Sequence, residues 1–352
     1  MRRDMLATTM HHSIHARSRL AAGFRRRWAI PLGAAAAVLT IAGCGAASTG
    51  KIVAPSATKR ANWLTVAKAH RPLDLVGPRA ERSLDLAAGG RLELLKPNGQ
   101  TQPFAPGYVS PGGEEPYIAL SPGGSFGNGT VYALRLTSGR GVVAVSAGGR
   151  VRRFATLKAP GLIDGIAFDQ TGGFGHKLLV TIGNGARTTV DAIDGSGAVT
   201  TITRNAPRAE GGIAVAPSSF GNFAGDLIFP DETSGKLFAV TPDGRSALVA
   251  VSGLPHGGDI GVESEGFVPI GSHDAFAADR LTPGNRHPGD DAVLRLPAAA
   301  LKAAGVRPSD LLVATEGGAL TDAVSCSAAG CHTRFVATGP KVAHAEGHIA
   351  FR

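Results

Sequence analysis

The sequence predicts an all-β protein, a six-bladed β-propeller in which small sheets close into a ring. Three observations predict this class: hairpins recur along the chain, a further strand precedes each hairpin, and turn-forming residues are abundant, with 49 Gly and 22 Pro among 352 residues. A small twisted sheet cannot bury both faces alone, so repeated four-stranded units must cover one another. The strand spacing is less regular after residue 265, and a five-bladed ring with an insertion is the alternative.

The N-terminal segment indicates export. A basic run, Arg25-Arg26-Arg27, precedes the uncharged residues 28–43 and then Cys44. The uncharged segment is shorter than the ~20 residues that a membrane-spanning helix needs, but it suits a secretory signal. Its end, Ile41-Ala42-Gly43-Cys44, resembles the bacterial lipobox, whose cysteine is diacylated. We therefore expect residues 1–43 to be a lipoprotein signal peptide and Cys44 to be lipidated. An ordinary signal or a single anchor helix is the alternative.

The remaining chain divides into a flexible tether, 44–62, and a β-propeller domain, 63–352. The tether is small and polar without periodicity. Most of the formal charge of +9 precedes residue 44, and residues 44–352 carry only about +3. That charge excludes a phosphate-tracking surface, so no nucleic-acid partner is expected. We expect a monomer, tethered by its lipid to the outer face of the bacterial cytoplasmic membrane or present as a periplasmic or outer-membrane lipoprotein.

The hairpins show the repeat most clearly. Each has apolar residues alternating on both sides of a Gly turn, which supplies the positive φ of a tight hairpin. The four clearest copies are 91–105, 141–155, 189–203 and 236–250, with turns at Asn98-Gly99, Gly148-Gly149, Asp194-Gly195 and Asp243-Gly244. A fifth copy, 322–337, carries Cys326 and Cys331 on either side of its turn. Because exported proteins meet oxidising conditions, we expect a disulfide between these two cysteines.

The chain ends predict how the ring closes. The last strand, from Glu346 to the C-terminus, has no hairpin after it, and hairpin 91–105 has no acid-led strand before it. Joining the two would complete one blade and remove two exposed edges. We expect residues 285–309 to be irregular, with a short helix at 297–305.

Acidic residues open the predicted inner strands, which begin near the axis of a propeller. Their carboxylates would repel one another at short range, and a cation is the simplest remedy. Oxygen ligands favour Ca²⁺ over Zn²⁺. The alternative is that the acids cap backbone amides at blade junctions. A nitrogen-containing Zn²⁺ site built from His344, Glu346 and His348 with His256 and Asp259 is less favoured. The candidate cation ligands are Glu115, Asp164, Glu210, Glu265 and Glu346.

Two segments, DGIAFDQTGGFGHKLLVT (164–181) and Glu210-Gly211-Gly212, resemble the gluconolactonase, regucalcin and NHL-repeat superfamily of six-bladed propellers. The resemblance covers roughly residues 83–352. It implies a channel cation held by a Glu, an Asp and two Asn, for which Glu210 and Asp164 match the two acids. No Asn stands at an equivalent strand start. We therefore favour a module that binds a small molecule or a protein, with a cation-dependent lactonase or esterase as the alternative.

Overall fold

The computed structural model describes residues 60–110 and 115–352, and in these ranges the chain is built almost entirely of β-strands. The all-β prediction is confirmed. The α-helix of these ranges, α1 (Ala298–Ala303), lies within the predicted helical segment. No helix in the same ranges is long and apolar enough to cross a membrane. The predicted signal peptide, Cys44 and most of the tether lie outside the described residues.

Four sheets follow one another along the chain, each made of four consecutive antiparallel strands. The first comprises β3 (Pro72–Val76), β4 (Leu84–Ala88), β5 (Arg91–Leu95) and β6 (Thr101–Phe104). The second comprises β7 (Ile118–Leu120), β8 (Val131–Arg135), β9 (Gly141–Val145) and β10 (Val151–Thr156). The third comprises β11 (Leu162–Phe168), β12 (Leu178–Asn184), β13 (Arg187–Ile193) and β14 (Val199–Pro207). The fourth comprises β15 (Ala214–Val215), β16 (Leu227–Asp231), β17 (Lys236–Val240) and β18 (Ser246–Val251).

The remaining strands form one nine-stranded sheet that contains strands from near both chain ends. Its strand order is β1-β24-β23-β22-β19-β25-β20-β21-β2. These strands are β1 (Ala61–Asn62), β2 (Leu64–Lys68), β19 (Val262–Phe267), β20 (Ala275–Asp279), β21 (Ala292–Leu296), β22 (Leu311–Thr315), β23 (Thr321–Ser327), β24 (Gly330–Thr338) and β25 (Ala345–Phe351). Strands β19 and β25 run parallel and pair at one position, Glu265 opposite His348. That narrow junction divides the sheet into two groups, which interleave along the chain.

This sheet corrects the predicted closure. β25 pairs with β20, and the outer strand of its group is β2 rather than the 91–105 hairpin. The first sheet already has an inner strand, β3, so the hairpin has no vacant edge there. The segment 285–309 is also more regular than expected, because β21 bridges β20 and β2. β1 lies within the predicted tether and pairs with β24.

All five predicted hairpins form: β5–β6, β9–β10, β13–β14, β17–β18 and β23–β24. In the third, the positive φ of 88° falls on Gly197 rather than on Gly195. The reason is that the Gly197 N–H closes the turn on the Asp194 carbonyl. In the fifth hairpin Cys326 and Cys331 lie opposite each other and form the predicted disulfide.

Burial follows the position of a strand in its sheet. The middle strands are buried along most of their length, as in β8 and β16, because neighbouring sheets cover both faces. Outer strands such as β10 are mostly exposed. Aromatic rings fill one gap between the second and third sheets, where Phe126 meets Phe168 edge to face at 4.9 Å between centroids. Burial of this kind stabilises the stack of sheets.

The inner strands approach so closely that side chains are excluded at one level. A Cβ on Gly212 would lie 2.6 Å from the Gly347 carbonyl oxygen, well inside van der Waals contact. A Cβ on Gly165 would meet the Gly211 carbonyl at 3.0 Å. Glycine at these strand starts therefore lets three inner strands converge, and the acidic residues beside these glycines are carried to the same region.

Candidate functional site

The candidate site is a group of buried acids at the beginnings of the inner strands. Glu346 lies at the start of β25 and Glu263 at the start of β19, while Glu115 precedes β7. One oxygen of each of these three side chains lies within 4.8 Å of the others. We call Glu115, Glu263 and Glu346 the axial carboxylates. Strands β19 and β25 run parallel and pair at Glu265 opposite His348, so the segments that carry Glu263 and Glu346 enter the same region.

Tyr117 joins two of the axial carboxylates. Its hydroxyl donates to Oε1 of Glu263 at 2.7 Å and lies 3.2 Å from Oε2 of Glu346. The tyrosine is fully buried, and burial together with the charge of Glu115 raises its pKa well above the usual value. The hydroxyl therefore keeps its proton and acts as a donor between the acids.

Glu346 is the best compensated of the three. Arg280 donates from Nη1 to its Oε1 at 3.0 Å, and Nε2 of His344 lies 3.2 Å from the same oxygen. His344 Nε2 also lies 2.6 Å from Oε1 of Glu316. Burial disfavours the imidazolium, but the hydrogen bonds to Glu316 and Glu346 outweigh it and raise the pKa of His344 to about 10. His344 is thus a cation at neutral pH.

The other two axial carboxylates are less well compensated. Burial, with the charges of Glu346 and Asp164, raises the pKa of Glu115 well above its usual value. Burial, with the charges of Glu346 and Glu115, raises that of Glu263 in the same direction. Arg280 Nη1 lies 3.8 Å from Glu115, too far for a hydrogen bond. Each of these acids is therefore held neutral unless additional positive charge enters the group.

Three further acids, Asp164, Glu210 and Glu232, interact electrostatically with the axial carboxylates or with one another. Asp164 is buried and accepts a hydrogen bond from the Gly211 N–H at 3.1 Å. Burial raises its pKa well above the usual value. Glu210 forms an ion pair with Arg208. Burial and the charge of Glu210 raise the pKa of Glu232 to about 7. None of these three acids joins the group whose oxygens lie within 4.8 Å of one another.

Carboxylates outnumber basic groups in this region. Seven acids and three basic side chains interact there: Glu115, Asp164, Glu210, Glu232, Glu263, Glu316 and Glu346, against Arg208, Arg280 and His344. Full ionisation would leave an excess of negative charge in a largely buried volume. Such an excess is stabilised either by retained protons or by a metal ion.

The residues present fit a hard divalent cation. Two oxygen ligands on opposite sides of Ca²⁺ are separated by about 4.6–5.2 Å. The axial oxygens all lie within 4.8 Å of one another, so they are close enough to bind one such ion together. Glu316, His344 and Glu346 form a second group with a nitrogen ligand. Its imidazole holds a proton at neutral pH, which opposes metal binding there. The all-oxygen group is the better candidate.

Of the five predicted ligands, Glu115 and Glu346 come together in one group. Asp164 and Glu210 lie close enough for their charges to act on Glu115, but outside that group. Glu265 lies two residues further along β19 than Glu263, and two strand residues span about 6.6 Å. Glu265 is fully buried and lies opposite His348 in the pairing of β19 with β25.

The predicted histidine cluster is divided. Because β25 has a register shift between its pairings with Phe276 and Ala278, its regular alternation is broken near Gly347. His344 joins the acids, whereas Nδ1 of His348 lies 3.0 Å from both oxygens of Asp74 on β3. His256 is exposed and contacts the Thr233 carbonyl. His348 and His256 therefore do not share a ligand group with His344.

The sequence analysis missed Glu263, Tyr117, Arg280 and Glu316. It selected the acid directly before a glycine, which on β19 is Glu265. The alternation in Val262-Glu263-Ser264-Glu265 places both acids on the same face, and this was the available signal for Glu263. Arg280 follows β20, a strand whose place in the sheet depends on the C-terminal strand. No local pattern indicates such a residue.

No protein-family model matches the chain, and no curated protein matches it. Several solved structures are similar. Virginiamycin B lyase from Staphylococcus aureus is 13% identical with a TM-score of 0.42, covering 76% of this chain and 84% of that one. A gluconolactonase from Xanthomonas campestris is 14% identical with a TM-score of 0.37, covering 67% and 89%. The PQQ-bound aldose sugar dehydrogenase from Streptomyces coelicolor is 17% identical with a TM-score of 0.36, covering 66% and 96%. Similarity at this level carries no argument about activity.

Proposed function

We propose that the chain is an exported, lipid-anchored six-bladed β-propeller that binds a ligand at one end of its axis, with Ca²⁺ held by the axial carboxylates. The blade number follows from counting the nine-stranded sheet as two blades, because strands β19 and β25 pair at one position only, Glu265 opposite His348. The four sequential sheets supply the other four. β1 is then an additional strand on the blade that contains β24.

The observation that carries this proposal is the convergence of the three axial carboxylates. Glu263 is buried and Glu346 is 1% exposed, and of the three acids only Glu346 has basic partners within hydrogen-bond distance, whereas Arg280 Nη1 lies 3.8 Å from Glu115. A divalent cation would convert the repulsion among these acids into attraction, and waters would complete the shell. The axial group then acts as a fixed positive centre to which a ligand oxygen binds.

Export is supported by the lipobox-like residues before Cys44 and by the Cys326–Cys331 disulfide. Disulfides persist outside the reducing cytosol. The near-neutral charge of residues 44–352 suits a monomer that binds a small molecule or a protein rather than nucleic acid. These features concern location and partner class, and they are independent of the cation.

Calorimetry tests the cation site. The full chain is stripped with a chelator and titrated with CaCl₂, alongside Glu263→Gln and, as a matched control on a β-strand, Glu93→Gln. We expect stoichiometric binding to the unmodified chain and to the control, and at least ~10-fold weaker binding to Glu263→Gln because one charged ligand is lost. Absence of Ca²⁺ binding at millimolar concentration, or equal binding by Glu263→Gln, would contradict the site.

A cation-dependent hydrolase of lactones or esters is the second candidate. The observation that favours it is Glu232, whose pKa of about 7 suits proton transfer near neutral pH. A bound cation would supply polarisation of a carbonyl and activation of water. Lactone hydrolysis that requires Ca²⁺ and is slower in Glu232→Gln would establish this candidate. Ca²⁺ binding without hydrolysis would instead support a binding module without catalytic activity.

A further inference from the structure

The loop between β19 and β20, residues 268–273, presents an apolar side chain to solvent. Ile270 is 88% exposed, the most exposed large apolar side chain in the described ranges. The backbone beside it is held in place, because the Val268 N–H donates to the Asp310 carbonyl at 2.9 Å and the Ser309 N–H donates to the Val268 carbonyl at 2.8 Å. The isoleucine is therefore displayed on a fixed base, and its burial against a partner would be favourable.

Ile270 lies at the far end of the inner strands from the axial carboxylates. β19 carries Glu263 near its start, and its 6 residues span ~20 Å at ~3.3 Å per residue. The loop follows the last of these residues, Phe267. The acidic group and the exposed isoleucine thus face opposite ends of the ring.

Basic side chains flank the loop. α1 begins just beyond it, where the Ala298 N–H donates to Oδ1 of Asp274 at 2.8 Å. Lys302 on α1 and Arg307 after it are exposed, and neither forms an ion pair with a described residue. The segment 297–309 contains no Asp or Glu. An exposed isoleucine and two free cations therefore lie on neighbouring segments.

The two acids that contact these segments are already paired. Oδ2 of Asp274 lies 3.6 Å from Nη1 of Arg295. Oδ2 of Asp310 lies 3.7 Å from Nη2 of Arg334. The charges of Lys302 and Arg307 are thus left to act on an anionic partner.

The chain enters the described domain on the same side. The guanidinium of Arg60, the first described residue, lies over the ring of Phe335 on β24 at 5.1 Å, and β1, which follows it, contacts α1. Residues 44–59 include two lysines and no acidic residue. The roughly sixteen residues from Cys44 to Arg60 reach at most ~55 Å when fully extended. A lipid on Cys44 would therefore keep α1 and the loop close to a bilayer.

We propose that this end of the domain docks on a bilayer that contains anionic phospholipids. Ile270 enters the headgroup region, and Lys302 and Arg307 lie against the lipid phosphates. Burial of the aliphatic side chain and attraction of each cation to the anionic surface both favour this contact. The inference rests on the proposed lipid anchor, which holds the domain near the bilayer, but not on the axial cation. The axial carboxylates then face solution, where a ligand can reach them.

The test follows an environment-sensitive fluorophore attached to the full chain at Ile270→Cys. The matched control is Val109→Cys, which replaces a side chain 58% exposed between β6 and β7, at the axial end. Each is mixed, in a chelating buffer, with vesicles of phosphatidylcholine alone or with ~30% phosphatidylglycerol. The unmodified chain, treated in the same way, corrects for labelling at Cys44. Sedimentation with the vesicles measures anchoring separately, and melting temperatures verify that the variants fold.

We expect the label at position 270 to shift to the blue and gain at least ~2-fold in intensity on the anionic vesicles, and the label at 109 to stay unchanged. The double variant Lys302→Gln, Arg307→Gln should remove most of this gain, because each cation near an anionic surface contributes about 5-fold. The double control Arg153→Gln, Arg204→Gln, at exposed positions on β10 and β14, should retain it.

An equal gain at both labelled positions, or an equal gain on vesicles without phosphatidylglycerol, would overturn the proposal. So would equal responses of the two double variants. A chain that sediments with the vesicles while the label at 270 stays in water would overturn docking and leave the lipid anchor intact. A chain that does not sediment with vesicles of either composition would overturn both.

Discussion

The four sequential sheets and the nine-stranded sheet are built from similar strands but are assembled in different ways. Each sequential sheet takes four consecutive strands from residues 72–251. The nine-stranded sheet combines residues 61–68 with residues 262–351, and its two groups exchange strands along the chain. The first kind of sheet forms from local hairpins. The second forms only after segments near both ends of the described chain have met.

This difference indicates where the closure of the ring is most vulnerable. β2 pairs with β21 and β1 pairs with β24, and each pairing joins segments more than two hundred residues apart. Pairings with large sequence separation form late because loop closure costs entropy before the contacts contribute. We therefore expect changes in the nine-stranded sheet to affect global stability, and the sequential sheets to tolerate changes in local turns better.

The largest expected effect is that of Trp63→Ala. Trp63 is 3% exposed, and its indole N–H donates to Oγ1 of Thr321 on β23 at 2.8 Å, so it ties the segment between β1 and β2 to the opposite end of the chain. We expect a loss of about 3–5 kcal/mol in the free energy of unfolding, measured with urea. The neighbouring control Leu64→Ala, at a half-exposed position, should cost less than ~1 kcal/mol.

Hydrogen exchange sharpens the same comparison. In Trp63→Ala, peptides from 61–68 and 321–338 should lose protection before peptides from 131–145 in the second sheet. Simultaneous loss in both regions would show that the ring opens as one unit, and the distinction between the two kinds of sheet would then have no energetic meaning.

An intermediate effect is expected from the disulfide. The β23–β24 hairpin carries Cys326–Cys331, whereas the β17–β18 hairpin, whose turn contains Asp243-Gly244, has no cross-link. Closing so short a loop contributes about 2 kcal/mol by chain entropy. Reductant should lower the free energy of unfolding by about that amount. The free energy of unfolding of the double variant Cys326→Ser, Cys331→Ser should not change with reductant. If reductant also leaves the free energy of unfolding of the unmodified chain unchanged, the prediction is contradicted.

The smallest expected effect concerns Glu265→Gln. Burial raises the pKa of Glu265 well above its usual value, so the folded state keeps the proton while the unfolded state loses it above pH ~4.3. Stability therefore falls as the pH rises through and beyond that value. We expect Glu265→Gln to raise the melting temperature by ~2–4 °C at pH 8 and to change it little at pH 4.

Glu93→Gln on β5 is the matched control in a sequential sheet, and we expect no such pH-dependent gain from it. A melting temperature for Glu265→Gln that lies below that of the unmodified chain at pH 8 would mean that the carboxylate is ionised in the folded state and has a partner of its own.

The local part of the fold could be predicted from sequence. All five hairpins could be located because the alternating apolar residues and the Gly turn of each one lie within about fifteen consecutive residues. The disulfide followed from the fifth hairpin for the same reason. The partner of β25 could not be read locally, because β20 and β22 have similar composition and either could pair with an acid-led inner strand.

The site shows the same limit. Glu115 and Glu346 were found because each begins an inner strand, and a common position in the repeat implies a common place near the axis. Glu263 was missed in favour of Glu265, since the choice depends on the level at which β19 and β25 pair. Arg280 was missed because its neighbours at the axis, Glu346 and Glu115, belong to distant strands.

The contact between Gly212 and Gly347 sets a floor beneath the axial carboxylates. Gly347 directly follows Glu346, and the two backbones leave no space for a side chain between them. Any side chain at Gly212 would force the two backbones apart and move Glu346 away from the other axial carboxylates.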